Sequence, residues 1–90
     1  MDRTAADVVV TGRVQGVYFR AGLREQAEAL GVAGWARNEP DGSVHAHLEG
    51  AGPDLDAVVA WCRQGTPAAR VAGVERTVGE VTGATSFQVG

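Results

Sequence analysis

The stretch from Gly12 to Arg20 holds the residues best suited to chemistry, and the chemistry they suit is the binding of an anion. It follows a short apolar run and precedes a helical pattern, so it should join a strand to a helix N-terminus, where unpaired backbone N–H groups can bind phosphate. Gly16 can adopt the positive φ that lets successive amides converge. Arg20 adds a charged planar group able to hold two phosphate oxygens. The pattern favours a phosphate-binding loop, although by spacing alone a plain tight connection with Arg20 at the surface is an equally good interpretation.

Two common phosphate loops are excluded by the residues present. A Walker A loop ends in Gly-Lys-Ser/Thr, and the chain contains no lysine. A dinucleotide fingerprint needs Gly-x-Gly-x-x-Gly within a parallel βαβ unit, which Gly12 and Gly16 do not provide. Phosphate chemistry in this loop would therefore depend on backbone amides and Arg20.

The other polar candidates each have a functional and a structural interpretation. Asn38 stands at a predicted strand end before a turn, which is ordinary turn chemistry. His45, His47 and Glu49 alternate along one strand and could ligate zinc. Polar residues on the open side of a sheet are far commoner, and we expect that role for them. Cys62 lies among apolar residues, which indicates a buried structural thiol.

The elements that position the loop follow from hydrophobic periodicity. Short apolar or alternating runs predict strands, and apolar residues at helical spacing predict helices. The turn signal Glu39-Pro40-Asp41-Gly42 predicts a hairpin between its two flanking strands. The predicted order is a strand at Asp7–Thr11, a helix at Arg20–Leu30, strands at Val32–Asn38 and Ser43–Glu49, a helix that starts at Pro53 and ends at Gly65, and strands at Val71–Val81 and Ser86–Val89.

This β-α-β-β-α-β order predicts an α+β fold, the ferredoxin-like sandwich, in which an antiparallel sheet carries both helices on one face. In the strand at Ser43–Glu49, the apolar residues should lie on the covered face. The alternating His45, His47 and Glu49 should face water.

Length and composition predict one compact domain, residues 1–90, since 90 residues with 44% apolar composition allow a single modest core. No apolar run approaches the roughly 18 residues of a membrane helix, and Met1–Ala6 lacks the apolar region of a signal peptide. We therefore expect a cytoplasmic monomer without a membrane partner. The net charge is −3 and the arginines are dispersed, which argues against a nucleic-acid partner. The single cysteine excludes an intramolecular disulfide.

The loop sequence resembles the signature of a known enzyme family. Gly12-Arg13-Val14-Gln15-Gly16-Val17-Tyr18-Phe19-Arg20 is similar to the acylphosphatase pattern Gly-Arg/Lys-Val-Gln-Gly-Val-x-Phe-Arg. The segment Gly31–Asn38, followed by Asp41-Gly42-Ser43-Val44, resembles that family's second block. The resemblance implies the same ferredoxin-like sandwich and an activity that hydrolyses acyl phosphates to a carboxylate and inorganic phosphate, with no metal or other cofactor.

The resemblance also assigns the site residues. Arg20 falls at the family's phosphate-binding arginine, and Asn38 at the asparagine that orients the attacking water. The partner implied is a small-molecule acyl phosphate, with inorganic phosphate and sulfate as competing anions. The phosphate loop implied consists of Arg13, Val14, Gln15, Gly16, Val17, Tyr18 and Phe19.

Two further expectations concern the surroundings of this site. Tyr18 and Phe19 should anchor the loop or the core rather than stack on substrate, and Trp35 and Trp61 should be packing residues. Family members commonly continue a residue or two past the position of Gly90 and end in a bulky or charged side chain. If that end braces the loop or the site arginine, this chain should be less stable or less active.

The chemistry of an acyl phosphate fits such a small set of groups. Its leaving group is a carboxylate, whose conjugate acid has a pKa of about 4–5, so it departs without being protonated. Phosphoryl transfer then needs mainly positioning and charge stabilisation, which Arg20, the loop amides and Asn38 can supply. A phosphomonoester releases a much more basic alkoxide and should be a poor substrate.

Other functions remain compatible with the same element order. An acylphosphatase-like domain can work inside a larger maturation enzyme. The fold also serves metallochaperones, which need Cys-x-x-Cys, and RNA-recognition domains, which need aromatic residues on the open face. Small-molecule regulatory domains share the fold as well, and fold alone does not decide between an enzyme and a binding module.

Overall fold

The computed structural model describes residues 3–90 as a five-stranded sheet with two helices. The strands lie in the order β4-β1-β3-β2-β5, and every pair is antiparallel except β2 with β5, which is parallel. The predicted ferredoxin-like class is confirmed, with a mixed rather than wholly antiparallel sheet. The elements are β1 (Thr4–Arg13), α1 (Phe19–Ala29), β2 (Ala33–Asn38), β3 (Val44–Gly50), α2 (Gly52–Gln64), β4 (Arg70–Val78) and β5 (Phe87–Val89).

The core lies between the helices and one face of the sheet. Alternate residues of the central strands point into it, as strand periodicity requires, and they meet the apolar stripes of both helices. Cys62 is buried there, as expected, and burial raises the pKa of its thiol to about 12. The core residues include Val8, Val10, Ala36, Val44, Leu48, Leu23, Ala27, Leu55 and Val58. None of the helices within residues 3–90 is long and apolar enough to cross a membrane.

The boundaries around the loop differ from the predicted ones. β1 continues to Arg13 instead of ending at Thr11, because a register shift between Thr11 and Gly12 lets it keep pairing with β4. Gly12 fits this close approach, since a Cβ on it would lie 2.2 Å from the Arg70 carbonyl oxygen. The helix α1 begins at Phe19, one residue before the predicted start. The connection between β1 and α1 therefore runs from Val14 to Tyr18.

The predicted hairpin between β2 and β3 is confirmed. Glu39 donates its N–H to the Ser43 carbonyl at 2.9 Å, and Gly42 donates to the Glu39 carbonyl at 3.0 Å. The Asp41 carboxylate accepts hydrogen bonds from the Ser43 hydroxyl and N–H, which lower the pKa of Asp41. Backbone and side-chain hydrogen bonds therefore both fix the turn that follows Asn38.

The expectation that one face of β3 meets water is wrong for His47 and Glu49, which are only 5% and 0% exposed. β4 and β5 are at opposite edges of the sheet, so the chain between them, residues 79–86, must cross it. This crossing segment passes over the face opposite the helices. Thr82, Gly83 and Ala84 donate their N–H groups to the Glu49 carboxylate at 2.8–3.1 Å.

His47 lies between two carboxylates beneath the crossing segment. Its Nδ1 is 2.7 Å from Asp7 and its Nε2 is 2.6 Å from Glu49. Burial acts to lower the pKa of His47, but the hydrogen bonds to Asp7 and Glu49 outweigh it and raise that pKa. With both ring nitrogens engaged, His47 has no free lone pair for zinc. Within residues 3–90 no group of His, Cys, Asp and Glu side chains is arranged to hold a metal ion.

Candidate active site

The loop between β1 and α1 is anchored by its apolar residues. Val14, Val17 and Phe19 are buried in the core, and the Phe19 ring packs 5.2 Å from the ring of Trp61. The Thr66 hydroxyl donates to the Val17 carbonyl at 2.7 Å. The expectation that Phe19 and Trp61 are packing residues is confirmed. The loop residues that lie between these buried anchors remain at the surface.

Gln15 fastens the loop to the hairpin turn. Its Nε2 donates to the carbonyls of Glu39 and Ser43 at 2.8 and 2.9 Å. The Gln15 side chain is therefore committed to the turn, and only its backbone N–H remains for an anion. This contact sets the position of the loop relative to the strand end that carries Asn38.

The outer side of the loop borders a cavity of about 390 Å³. Gly16, Tyr18 and Arg20 line it together with Ala21 and the edges of Val14 and Phe19. Gly16 adopts φ 73°, and a Cβ built on it would meet nothing within 4 Å, so the space before it is open. Tyr18 adopts φ 60° as the N-cap of α1.

Backbone N–H groups without partners accumulate on this side of the loop. Among residues 3–90 no acceptor lies within hydrogen-bond range of the N–H groups from Gln15 to Ala21, and the first helical bond is donated by Gly22 to the Tyr18 carbonyl. These donors include the orphan groups that every helix start exposes, at the positive end of the helix dipole. The cavity is therefore bordered by residues whose amides can take an anion.

Arg20 lines the cavity from the first turn of α1. Its guanidinium Nη1 donates to the backbone carbonyl of Gly90, the last residue of the chain. This contact holds the guanidinium beside the cavity. Arg13, in contrast, is the last residue of β1, paired with Arg70 in the register and outside the cavity lining. It therefore adds positive charge to this end of the sheet but does not line the cavity.

Asn38 reaches the same corner of the molecule through the sheet. β1 and β2 both run antiparallel to β3, so they are parallel to each other and finish at the same end of the sheet. The register aligns Val10, Val44 and Asn38 across the three strands, about 10 Å from first to last at two inter-strand spacings. Asn38 shares the face of Val44, which is the face that carries α1. It is exposed and does not line the cavity itself.

Tyr18 is where the expectation for this site is wrong. The sequence predicts that it anchors the loop or the core, but the residue is 83% exposed. The positive φ of Tyr18 turns the ring outward between two residues that point inward, Val17 and Phe19. No periodicity in a short loop signals such a reversal. The sequence also gives no sign of the Thr66 bond to the loop.

Comparison with known proteins shows which family the chain resembles. A family model described as acylphosphatase matches residues 6–89. The acylphosphatase of Rubrobacter xylanophilus is 59% identical over 68 residues, which cover 76% of this chain and 62% of that protein. The acylphosphatase of Pelotomaculum thermopropionicum is 51% identical over 83 residues, covering 92% of this chain and 90% of that one.

The solved structures point to the same family. The structure of an acylphosphatase from Coxiella burnetii superposes with a TM-score of 0.94 at 33% identity, covering 98% of this chain and 93% of that chain. The family match spans nearly the whole sequence and includes both the loop and the hairpin. The chain therefore belongs to the acylphosphatase family of hydrolases.

Proposed function

We propose that this chain hydrolyses acyl phosphates, with the phosphoryl group bound by the amides of the loop 13–19 and by Arg20, and the water oriented by Asn38. The observation that carries the proposal is the set of unpartnered N–H groups from Gln15 to Ala21 beside a cavity that Arg20 also lines. Amides at a helix start together with an arginine fork form a site for a doubly charged group.

In this mechanism the loop and Arg20 bind the phosphoryl group and stabilise its charge. The amides are fixed in place by the buried Val14, Val17 and Phe19, so they need little reorganisation when charge shifts during transfer. The guanidinium can hold two phosphoryl oxygens at once. Arg20 must exchange its contact with the Gly90 carbonyl for substrate oxygens or share its donors between them.

In this mechanism Asn38 orients the attacking water. Its amide can accept one hydrogen bond from a water and direct the oxygen lone pair at phosphorus. The water oxygen forms the new P–O bond as the bond from phosphorus to the acyl oxygen breaks, and the carboxylate leaves with the electron pair. The water proton passes to solvent or to a phosphoryl oxygen. Because the leaving carboxylate needs no proton, no acid in the site is required.

We also propose that the activity resides in one domain, residues 1–90, acting as a cytoplasmic monomer without a metal or other cofactor. The buried, unpaired thiol of Cys62 fits a reducing compartment. The positive charge that phosphoryl transfer needs is available from Arg20 and the loop amides.

The test is hydrolysis of benzoyl phosphate by the purified chain, with and without excess chelator. We expect turnover that chelator leaves undiminished, and far slower turnover of a phosphomonoester such as 4-nitrophenyl phosphate. Inorganic phosphate and sulfate should raise KM and leave kcat unchanged. Activity that chelator abolishes and a divalent ion restores would contradict the mechanism, and purely noncompetitive inhibition by phosphate would place the anion site elsewhere.

A further inference from the structure

Tyr18 combines two features that do not stabilise a fold. Among residues 3–90 it is the one non-glycine residue with positive φ, at 60°, a region in which bulky side chains are strained. The residue is also 83% exposed, so its side chain gains little from burial. Residues held in unfavourable conformations at the surface concentrate at functional sites.

Nothing in the described chain uses the Tyr18 side chain. Within residues 3–90 the hydroxyl has no hydrogen-bond partner, whereas the backbone carbonyl accepts the first bond of α1 from Gly22 at 3.0 Å. The backbone of Tyr18 is therefore part of the helix start, and the ring stands apart from it. A glycine or asparagine would supply the same backbone conformation with less strain.

The position of the ring is informative, because Tyr18 borders the same cavity as Gly16 and Arg20. Gly16 has no side chain and Ala21 only a methyl group, while Val14 and Phe19 are almost wholly buried. Within residues 3–90, Tyr18 is thus the one large exposed aromatic side chain on the wall of this cavity, beside the charged and partly exposed Arg20. A group that extends outward from an anion held by the loop can therefore contact the tyrosine ring.

We infer that Tyr18 is a specificity residue that contacts the acyl half of the substrate and favours aromatic over small aliphatic acyl groups. The inference rests on the proposed function. Once the phosphoryl group is held by the amides and Arg20, the acyl group projects towards the cavity mouth. An aromatic acyl group can stack on the Tyr18 ring in offset or edge-to-face geometry, whereas an acetyl group offers almost no surface to it.

The experiment compares benzoyl phosphate with acetyl phosphate in the wild type, Tyr18→Asn and Tyr18→Phe. Asparagine tolerates the left-handed conformation and removes the ring, and phenylalanine is the matched control that keeps the ring. We expect Tyr18→Asn to lose about 10-fold in kcat/KM for benzoyl phosphate, the scale of one aromatic contact with its buried area. The loss for acetyl phosphate should be much smaller, so that the ratio of kcat/KM for benzoyl phosphate to that for acetyl phosphate falls about 10-fold in Tyr18→Asn. Tyr18→Phe should keep the wild-type ratio.

A binding measurement separates recognition from loop placement. Phenylphosphonate should inhibit the wild type more strongly than methylphosphonate, and Tyr18→Asn should remove that difference. Equal losses for both acyl phosphates, or no loss for either, would overturn the inference and leave the proposed function standing. If the wild type hydrolyses neither substrate, the proposed function itself fails.

Discussion

At the scale of single residues, Gln15 connects two parts of the site that are far apart in the chain. Its amide bonds two turn carbonyls, those of Glu39 and Ser43, which are 24 and 28 residues away. The loop proposed to bind the anion and the strand end that carries Asn38 are therefore kept in a fixed relation. An in-line attack depends on that relation, because misplacement by about 1 Å can cost on the order of 100-fold in rate.

Gln15→Ala should accordingly lower kcat by about 10–100-fold. The Ki of inorganic phosphate should change little, because the backbone amides that bind it remain. Kinetics with benzoyl phosphate and phosphate inhibition give both values. The control is Gln64→Ala, which removes an exposed glutamine at the end of α2. If Gln15→Ala keeps the wild-type kcat, the tether has no role in positioning the water.

The residues of the site were only partly predictable. The motif places Arg20 and the loop, because a strand, a glycine and a helix start are local features. The role of the Gln15 side chain and the Arg20 contact with Gly90 depend on partners distant in sequence. The outward ring of Tyr18 follows from a single backbone angle, which no pattern of apolar residues encodes.

At the scale of elements, the least expected feature is the burial of Glu49 by the crossing segment 79–86. The Glu49 carboxylate accepts three backbone N–H groups and the Thr82 hydroxyl, and Arg3 lies 3.5 Å away. Burial acts to raise the pKa of Glu49, but the hydrogen bonds from Thr82 and His47 outweigh it and hold that pKa far below its ordinary value. The ionised carboxylate thus fastens the link between the two edge strands.

Glu49→Gln should lower the free energy of unfolding by about 3 kcal/mol at neutral pH, as expected when one partner of a buried charged network is lost. For a chain of this size that is a fall in Tm of roughly 12–24 °C. Thermal unfolding checks it, with the exposed Glu25→Gln on α1 as control, which should stay within about 0.5 kcal/mol of the wild type. Equal Tm values for the two variants would show that the network does not hold the segment.

The same network predicts how stability depends on pH. The folded-state pKa of Glu49 is lowered, so its contribution is present above the ordinary value of 4.5 and is lost as pH falls towards the folded pKa. The pKa of His47 is raised, so its contribution is present below 6.5 and is lost as pH rises through the folded value. The wild-type Tm should therefore decline on both sides of this range, and Glu49→Gln should show a shallower decline on the acid side.

The order of the elements and the hairpin could be predicted from the sequence because periodicity and turn residues are local. The parallel pairing of β5 with β2 could not, since it depends on where a distant segment finds an unpaired edge. The burial of this face of β3 could not be predicted either, because it also depends on a segment distant in the sequence. Glu49 is buried by residues 33–35 positions later in the chain, so its alternation with apolar neighbours looked like an open face.

At the scale of the whole molecule, the topology brings the candidate site residues to one corner. β1 and β2 finish at the same end of the sheet, and α1 begins there on the same face as Asn38. The chain carries a net charge of −3, yet Arg13, Arg20 and Arg70 lie at this end. A polyanion meets an unfavourable overall field, whereas a small doubly charged anion meets a local positive site.

The central claim is that Arg20 and Asn38 have separate roles in this one corner. The most direct test is kcat with benzoyl phosphate, together with the Ki of inorganic phosphate, for folded Arg20→Ala and Asn38→Ala. Arg20 should contact the phosphoryl oxygens, so Arg20→Ala should lower kcat by about 10³–10⁵-fold and raise Ki. Arg20→Lys should restore little, because lysine lacks the two-pronged geometry.

Asn38 should contact only the water, so Asn38→Ala should lower kcat by about 10²–10³-fold while Ki stays within about twofold of the wild type. Circular dichroism and thermal unfolding must first show that both variants are folded, because Asn38 also precedes the hairpin turn. A large loss of kcat in both variants, with Ki raised in Arg20→Ala alone, is the result that this account predicts. Wild-type kcat in Asn38→Ala would make it a turn residue only, and wild-type kcat and Ki in Arg20→Ala would contradict the account as a whole.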